Sequence, residues 1–260
     1  MRPIPKHIIQ LLNKKVEQYN HIDFIELDPI SIPHQFTQQQ DIEIAAFFAA
    51  TLSWGNRKSI ITSCKKLLEI MDYAPHDFII NHQPKNIKPF VHRTFNQIDL
   101  SHFIRFLHHH YQKETSLETA FTIWMNKDDE NIEQALNGYH QYFFNPKLFQ
   151  NYPSRTHKHI AAPFKNSACK RLNMFLRWMV REDEHGVDFG IWKTIKSSQL
   201  IIPMDVHVVK VAHQLGLIET TKTNWQHAVD LTNSLKVFDS KDPVKYDYAL
   251  FSLGVVEGIK

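Results

Sequence analysis

The side chains with the clearest chemical potential lie in the segment from Ser198 to Leu217, around Asp205. Pro203 disfavours the helical conformation at the residue before it, and Asp205 follows at the position of a helix N-cap. Apolar residues then recur at helical spacing, at Val208, Val211, Ala212 and Leu215, and Gly216 predicts the end of that helix. A carboxylate fixed there could stabilise developing positive charge or accept a proton, or it could serve only as a cap.

The order of residues from Pro203 to Leu217 is Pro-x-Asp-x-His-Val-x-Lys-Val-Ala-x-x-Leu-Gly-Leu. This order resembles the aspartate-bearing segment of the helix-hairpin-helix, or endonuclease III-like, DNA glycosylases. Over nearly its full length the chain is identified as a member of an uncharacterised conserved bacterial family related to that superfamily. The resemblance implies that Asp205 is a catalytic carboxylate and that His207 lies near DNA.

A second set of polar and basic side chains forms a stripe on the amphipathic helix predicted from Ser167 to Arg181. Its apolar face comprises Leu172, Phe175, Leu176 and Met179. Its other face carries polar side chains at helical spacing, namely Lys170, Asn173, Arg177 and Arg181. The stripe predicts a basic face toward solvent, which could be an ordinary helix surface or a surface that grips phosphates.

The closest site resemblance is to archaeal 8-oxoguanine DNA glycosylases, which carry a catalytic lysine on a basic helix upstream of their aspartate. The matching residue is Lys170, with Arg171 as the neighbouring register. Lysine can form a Schiff base and arginine cannot. Whether Lys170 or Arg171 occupies the matching position therefore decides whether a Schiff base can form. Lys193 and Lys196 are fallback nucleophiles. The same resemblance places Arg171 and Arg177 against DNA and suggests Trp178 for the base pocket.

Residues 37–71 predict two helices joined by a polar and aromatic tip, with Thr37 and Gln40 as a capping box. In the glycosylase superfamily a comparable tip lies against DNA. The matching run implies DNA contacts from Asn56, Arg57 and Lys58, and a base-pocket role for Trp54. A half-buried packing tryptophan and a solvated turn are the competing interpretations.

The superfamily's Leu-Pro-Gly-Val-Gly hairpin is missing before Asp205, and the run from Glu184 to Trp192 stands in its place. Its two glycines could build a turn that offers backbone N–H groups to a phosphate, or they could form only a loop. This departure favours a rival hypothesis, a non-catalytic nucleic-acid-binding protein on the same scaffold. A helical interaction protein without a nucleic-acid role is a further alternative.

Composition narrows the class of protein. Of the 260 residues, 43% are hydrophobic and only 7 are glycine, which favours an all-α fold over a glycine-rich nucleotide binder. Two cysteines suit neither a disulfide framework nor a four-thiolate iron–sulfur cluster. The net charge of +3 permits nucleic-acid binding without requiring it. The N-terminus lacks the hydrophobic region of a secretory signal, so a cytoplasmic location is expected.

Taken with the resemblance, these features predict an all-α protein with two helical lobes and a cleft between them. It would form one domain over residues 1–260, with an insertion around 75–165. The implied function is base excision repair: a monomer that hydrolyses the N-glycosidic bond of a damaged base in double-stranded DNA. The best-matched lesion is an oxidised purine such as 8-oxoguanine, with lyase activity if Lys170 acts. No cofactor and no metal are expected.

Overall fold

The computed structural model describes residues 4–82 and 88–258. Its helices are α1 (Lys6–Tyr19), α2 (Asp23–Glu26), α3 (Gln39–Leu52), α4 (Arg57–Ile70), α5 (Pro75–Asn81), α6 (Gln97–Tyr111), α7 (Thr119–Thr122), α8 (Glu133–Phe143), α9 (Lys170–Val180), α10 (Val206–Gln214), α11 (Trp225–Lys236) and α12 (Tyr246–Val255). Two short strands, β1 (Val91–His92) and β2 (Phe95–Asn96), pair antiparallel. The prediction of a predominantly helical protein is confirmed.

The chain divides into two compact units. The first contains residues up to 24, residues 127–133 and residues from 162 onward, and the second contains residues 25–126 and 134–161. Most of the expected insertion at 75–165 falls in the second unit, and its residues 83–87 lie outside the described residues. No described helix is both long and apolar enough to cross a membrane.

In the first unit, α12 is the central packing element. Its sequence is apolar on nearly every side, and it contacts both α1 and α10. The α1 contact is reinforced where the Tyr19 hydroxyl donates to Glu257 at 2.7 Å and the Tyr246 hydroxyl donates to Asn13 at 2.9 Å. On the α10 side, a Cβ built at Gly254 would lie 3.3 Å from the Cβ of His207. The small residue therefore lets the two helices approach closely.

In the second unit, the core is an aromatic cluster around α3. That helix is buried on almost all sides, and its alanines leave room for neighbouring rings. Phe47 stacks on Phe103 of α6 at 5.4 Å between ring centroids, and Phe121 stacks on Tyr139 at 4.1 Å. Together α3 and α4 form the predicted helical hairpin. The predicted capping box is wrong, because Gln38 occupies the N-cap and no side chain caps α3.

Glu43 is a fully buried carboxylate in α3. One oxygen accepts from Gln39 at 2.9 Å and Ser116 at 2.6 Å, and the other from the Tyr111 hydroxyl at 2.7 Å and the Leu117 N–H at 2.9 Å. An ionised carboxylate has about four lone-pair sites. Four donors therefore satisfy Glu43, and this residue ties α3 to α6 and to the turn that follows α6.

Glu43→Gln keeps the side-chain shape but replaces one acceptor oxygen with an NH2 group. We expect the free energy of unfolding to fall by about 1–3 kcal/mol, because a buried donor loses its partner. Urea denaturation measures the change. Glu69→Gln, on the exposed side of α4, is the matched control and should change stability by less than about 0.5 kcal/mol. Equal effects from the two variants would contradict this role for Glu43.

Candidate active site

Lys170 is the first residue of α9, and the turn before it sets its position. Cys169 adopts a left-handed conformation with φ 50°, and its N–H donates to the Ser167 hydroxyl at 3.2 Å. No side chain caps α9. Local rules disfavour a cation in the first turn of a helix, because the helix dipole is positive there. The placement of Lys170 therefore requires a partner that compensates.

That partner is Asp205, the predicted N-cap of α10. One of its carboxylate oxygens accepts the N–H groups of His207 and Val208, at 2.8 and 3.0 Å. Its other oxygen lies 3.1 Å from the Lys170 ammonium nitrogen. The side chains of Lys170 and Asp205 keep 32% and 17% of their exposure, so the pair is accessible. One carboxylate thus caps α10 and neutralises the cation that starts α9.

The electrostatics of this pair favour an ionised carboxylate. Burial pushes the pKa of Asp205 upward, but the Lys170 ammonium and the two backbone N–H groups outweigh it. The net result is a pKa below the usual value for aspartate. Asp205 is therefore a carboxylate with fixed charge and fixed orientation.

The predicted solvent-facing stripe on α9 is wrong beyond its first turn. Asn173, Arg177 and Arg181 are all buried. Arg177 donates to Asp188 at 3.3 Å and also pairs with Asp247. Arg177 therefore faces the interior and does not offer its charge to a DNA backbone.

Arg181 extends the same buried network. Its guanidinium contacts Asp183 at 2.7 Å, Asp188 at 3.0 Å and Asp242 at 2.9 Å. Because Asp188 also accepts from Arg177, it bridges the two arginines. Helical spacing marked these residues as sharing one face, but it could not show that carboxylates from later in the chain cover that face.

Trp178 and Arg171 complete α9. The Trp178 indole is fully buried. Contrary to expectation, it is therefore not accessible to a base. Arg171 is partly exposed, and burial lowers its pKa to about 10. Of the two neighbouring residues, Lys170 is the one that pairs with Asp205. Both Lys193 and Lys196 are exposed, and Lys193 pairs with Glu182.

The second half of the glycine-containing run after α9 is directed inward, whereas Glu184, His185 and Gly186 are exposed. Its backbone N–H groups at Phe189 and Trp192 donate to the α9 carbonyls of Trp178 and Met179, at 2.8 and 2.9 Å. These are carbonyls that a helix end leaves unsatisfied. The run therefore caps α9, and these two N–H groups are not available to a phosphate.

A family model with the description "Protein of unknown function (DUF2400)" matches residues 28–256. The chain belongs to the DUF2400 family. No curated protein and no solved structure matches it. The matched range of this DUF2400 protein includes Lys170, Asp205 and the α3–α4 tip.

The tip, residues 53–58, lies in the second unit and is built around Trp54. That indole is half-buried and stacks on His159 at 5.3 Å with 8° between the ring planes. It is therefore held as a packing residue on one side. Asn56 caps α4 by accepting the Ser59 N–H at 2.8 Å, and Arg57 lies 3.8 Å from Asp28.

Two exposed cations remain at the tip of this DUF2400 protein, Lys58 and Arg93. Arg93 was not a sequence candidate. It lies in the loop between β1 and β2 with φ 54°, and its guanidinium lies against Gly55, where a Cβ would come within 2.7 Å. Each strand is only two residues long, so the sequence contains no periodic pattern that could predict it. Of the described residues, no three His, Cys, Asp or Glu side chains form a metal-binding group.

Lys170→Met removes the ammonium and keeps the alkyl chain. We expect the pKa of Asp205 to rise, because burial remains while the opposing charge is lost; carboxyl 13C NMR titration measures it. The pKa of Asp183, which Arg181 and Asn20 help to lower, serves as the internal control and should not move. An unchanged pKa of Asp205 would contradict the pairing.

The same linkage predicts the pH dependence of stability. A carboxyl whose pKa is depressed by folding stabilises the native state above its unfolded pKa of about 4. That contribution is lost as the pH falls through the folded pKa. Lys170→Met should therefore be less stable than the natural protein near neutral pH, and the difference should vanish in acid.

Proposed function

We propose that this protein is a DNA glycosylase of base excision repair that hydrolyses the N-glycosidic bond of a damaged base. The observation that supports the proposal is the accessible Lys170–Asp205 pair. Asp205 uses three acceptor sites, for His207, Val208 and Lys170. A carboxylate offers about four, so within the described residues one acceptor site and part of its surface remain for a substrate.

The chemistry follows from this placement. As the bond between the sugar C1′ and the base nitrogen breaks, the electron pair leaves with the base and positive charge develops on the sugar. The Asp205 carboxylate would stabilise that charge electrostatically. In the hydrolytic route, water attacks C1′ and gives its proton to Asp205.

In the lyase route, Lys170 supplies the nucleophile. Its ammonium must first lose a proton; the amine then forms a carbon–nitrogen bond at C1′ as the base departs and takes up a proton. The C1′–O4′ bond of this adduct then breaks, O4′ takes up the proton that the nitrogen loses, and the resulting imine would permit strand cleavage. The resemblance to 8-oxoguanine glycosylases makes an oxidised purine the proposed lesion and double-stranded DNA the proposed partner.

Borohydride trapping on a duplex containing 8-oxoguanine tests the proposal. We expect the natural protein to be trapped, Lys170→Ala to lose trapping, and Asp205→Asn to release base about 100-fold more slowly or worse. Lys210→Ala, an exposed lysine on α10, is the control and should be trapped normally.

The outcomes separate the hypotheses. Trapping that persists in Lys170→Ala would remove the nucleophile assignment and direct attention to Lys193 and Lys196. Base release without trapping would indicate the hydrolytic route. If no base is released from a panel of oxidised, alkylated and deaminated duplexes although DNA is bound, the protein is the non-catalytic binder.

DNA binding itself should depend on salt through the tip. We expect Lys58→Ala and Arg93→Ala each to reduce the slope of log affinity against log salt by about 1, because each removes one phosphate contact. Fluorescence anisotropy with an undamaged duplex measures the slope.

Lys113→Ala is the matched control in the same unit. Residues 115 and 116 contact Gln40 and Gln39 at the start of α3, about 20 Å along that helix from the tip. The slope of log affinity against log salt should therefore not change in Lys113→Ala. If both tip variants keep the natural slope, DNA does not bind at the tip.

A further inference from the structure

A cavity of about 470 Å³ lies against α6 in the second unit. It is bounded by α6, by the end of α5 and by the segment after α8 that includes residues 151–153. Most of its surface is apolar, and its described lining includes neither aspartate nor glutamate. Ligand sites typically measure about 300–1,000 Å³ and combine apolar walls with a few fixed polar groups, so this cavity has the size of a small-molecule site.

Arg105 of α6 brings a permanent positive charge to the cavity. Its Nη1 donates to the Gln150 carbonyl at 3.4 Å, and its Nη2 donates to Nδ1 of His102 at 3.2 Å. The guanidinium carbon also lies 5.5 Å from the centre of the Phe149 ring. Within the described residues, these contacts leave the Nε–H and a second N–H on each Nη for another acceptor. Arg105 is therefore held in place with donors to spare.

His102 orients the guanidinium without neutralising it. The imidazole is buried and stacks on Phe144 at 5.7 Å. Its Nε2 donates to the Phe143 carbonyl at 3.0 Å, which leaves Nδ1 as the acceptor for Arg105. Burial lowers the pKa of His102 to about 4, so the ring is neutral near neutral pH. The charge of Arg105 is thus positioned by a neutral partner.

No carboxylate in the described part of the chain pairs with Arg105. Burial lowers the pKa of this guanidinium, and no neighbouring anion opposes the shift. Because Arg105 is exposed, a dissolved anion can reach it without displacing a carboxylate of the protein. A second cavity of the same unit, about 440 Å³ in volume, is lined by Asp41 and Asp77 and would repel the same anion. The charge of the first cavity therefore selects the class of ligand.

We propose that this cavity binds a small organic anion, a planar aromatic carboxylate that pairs with Arg105 and lays its ring against the apolar wall. A guanidinium binds a carboxylate through two parallel N–H···O bonds. The imidazoles of His82 and His108, 6.2 Å apart with 89° between their planes, line the cavity and add aromatic surface for the ring. This site does not depend on the function proposed above, because Lys170 and Asp205 belong to the first unit.

Binding of 2-naphthoate, compared with its uncharged analogue 2-naphthamide, tests the proposal. We expect the natural protein to bind the acid about tenfold more tightly than the amide, or better, because only the acid forms charged hydrogen bonds with the guanidinium. Isothermal titration calorimetry measures both affinities. The NMR signal of the Arg105 Nε–H should move as 2-naphthoate is added, which identifies the site.

Three variants separate the charge of Arg105 from its shape. Arg105→Met keeps the alkyl chain and removes the charge, so it should bind the acid and the amide equally. Arg105→Lys keeps the charge but lacks the planar pair of donors, and its preference for the acid should be intermediate. Lys113→Met removes an exposed cation that does not line the cavity. It is the matched control and should keep the full preference.

The proposal is overturned if the natural protein does not bind 2-naphthoate, or if Arg105→Met keeps the preference for the acid. Equal losses in Arg105→Met and Lys113→Met would also overturn it, since they would indicate a general effect of surface charge. If Arg105→Met does not fold, an Arg105 signal that stays unmoved at saturating 2-naphthoate in the natural protein has the same consequence.

The duplex assay described above distinguishes this ligand from DNA. If 2-naphthoate does not bind and Arg105→Met lowers the slope of log affinity against log salt, Arg105 contacts a DNA phosphate and the proposal is wrong. Because no damaged base is used in either assay, this proposal and the glycosylase proposal fail separately. Binding of 2-naphthoate without base release would contradict only the glycosylase function.

Discussion

The buried guanidinium groups of Arg177 and Arg181 impose the constraint on which the first unit depends. A buried cation that loses its partner costs about 3–5 kcal/mol, so α9 must remain against the segments that carry its carboxylates. Those segments are the run after α9, the turn before α12 and the first turn of α12 itself. Fixing α9 in this way also fixes its first residue, Lys170. Packing of α10 on α12 then brings Asp205 to it.

Glu43 and Asp205 are two carboxylates that differ in how many of their acceptor sites are filled. Glu43 has its four acceptor sites filled inside the second unit, so nothing remains for a ligand and its role is structural. Asp205 fills three and stays partly exposed. It also supports a lysine at a helix start, where local rules disfavour one. Conflicts of this kind between local preference and observed placement are expected at functional sites.

The features that the sequence could predict are those with a local cause. The Asp205 cap, the Gly216 stop with φ 69° and the α3–α4 hairpin all follow from residues within a few positions of one another. The burial of Arg177 does not, because its partner Asp247 lies 70 positions away. Periodicity identifies a shared helix face, but it cannot show whether solvent or a distant carboxylate covers it. Arg93 reaches the tip through strands too short to leave a pattern.

The second half of the run after α9 is turned toward the interior of the first unit. Where the resemblance implies a phosphate-binding hairpin, the chain instead supplies Asp188 to the arginines and two N–H groups to the end of α9. At Gly190, with φ 57°, an added Cβ would come within 2.5 Å of Glu182, so a larger residue does not fit there without a shift. Any phosphate contact made by exposed cationic side chains would be electrostatic and would weaken with salt.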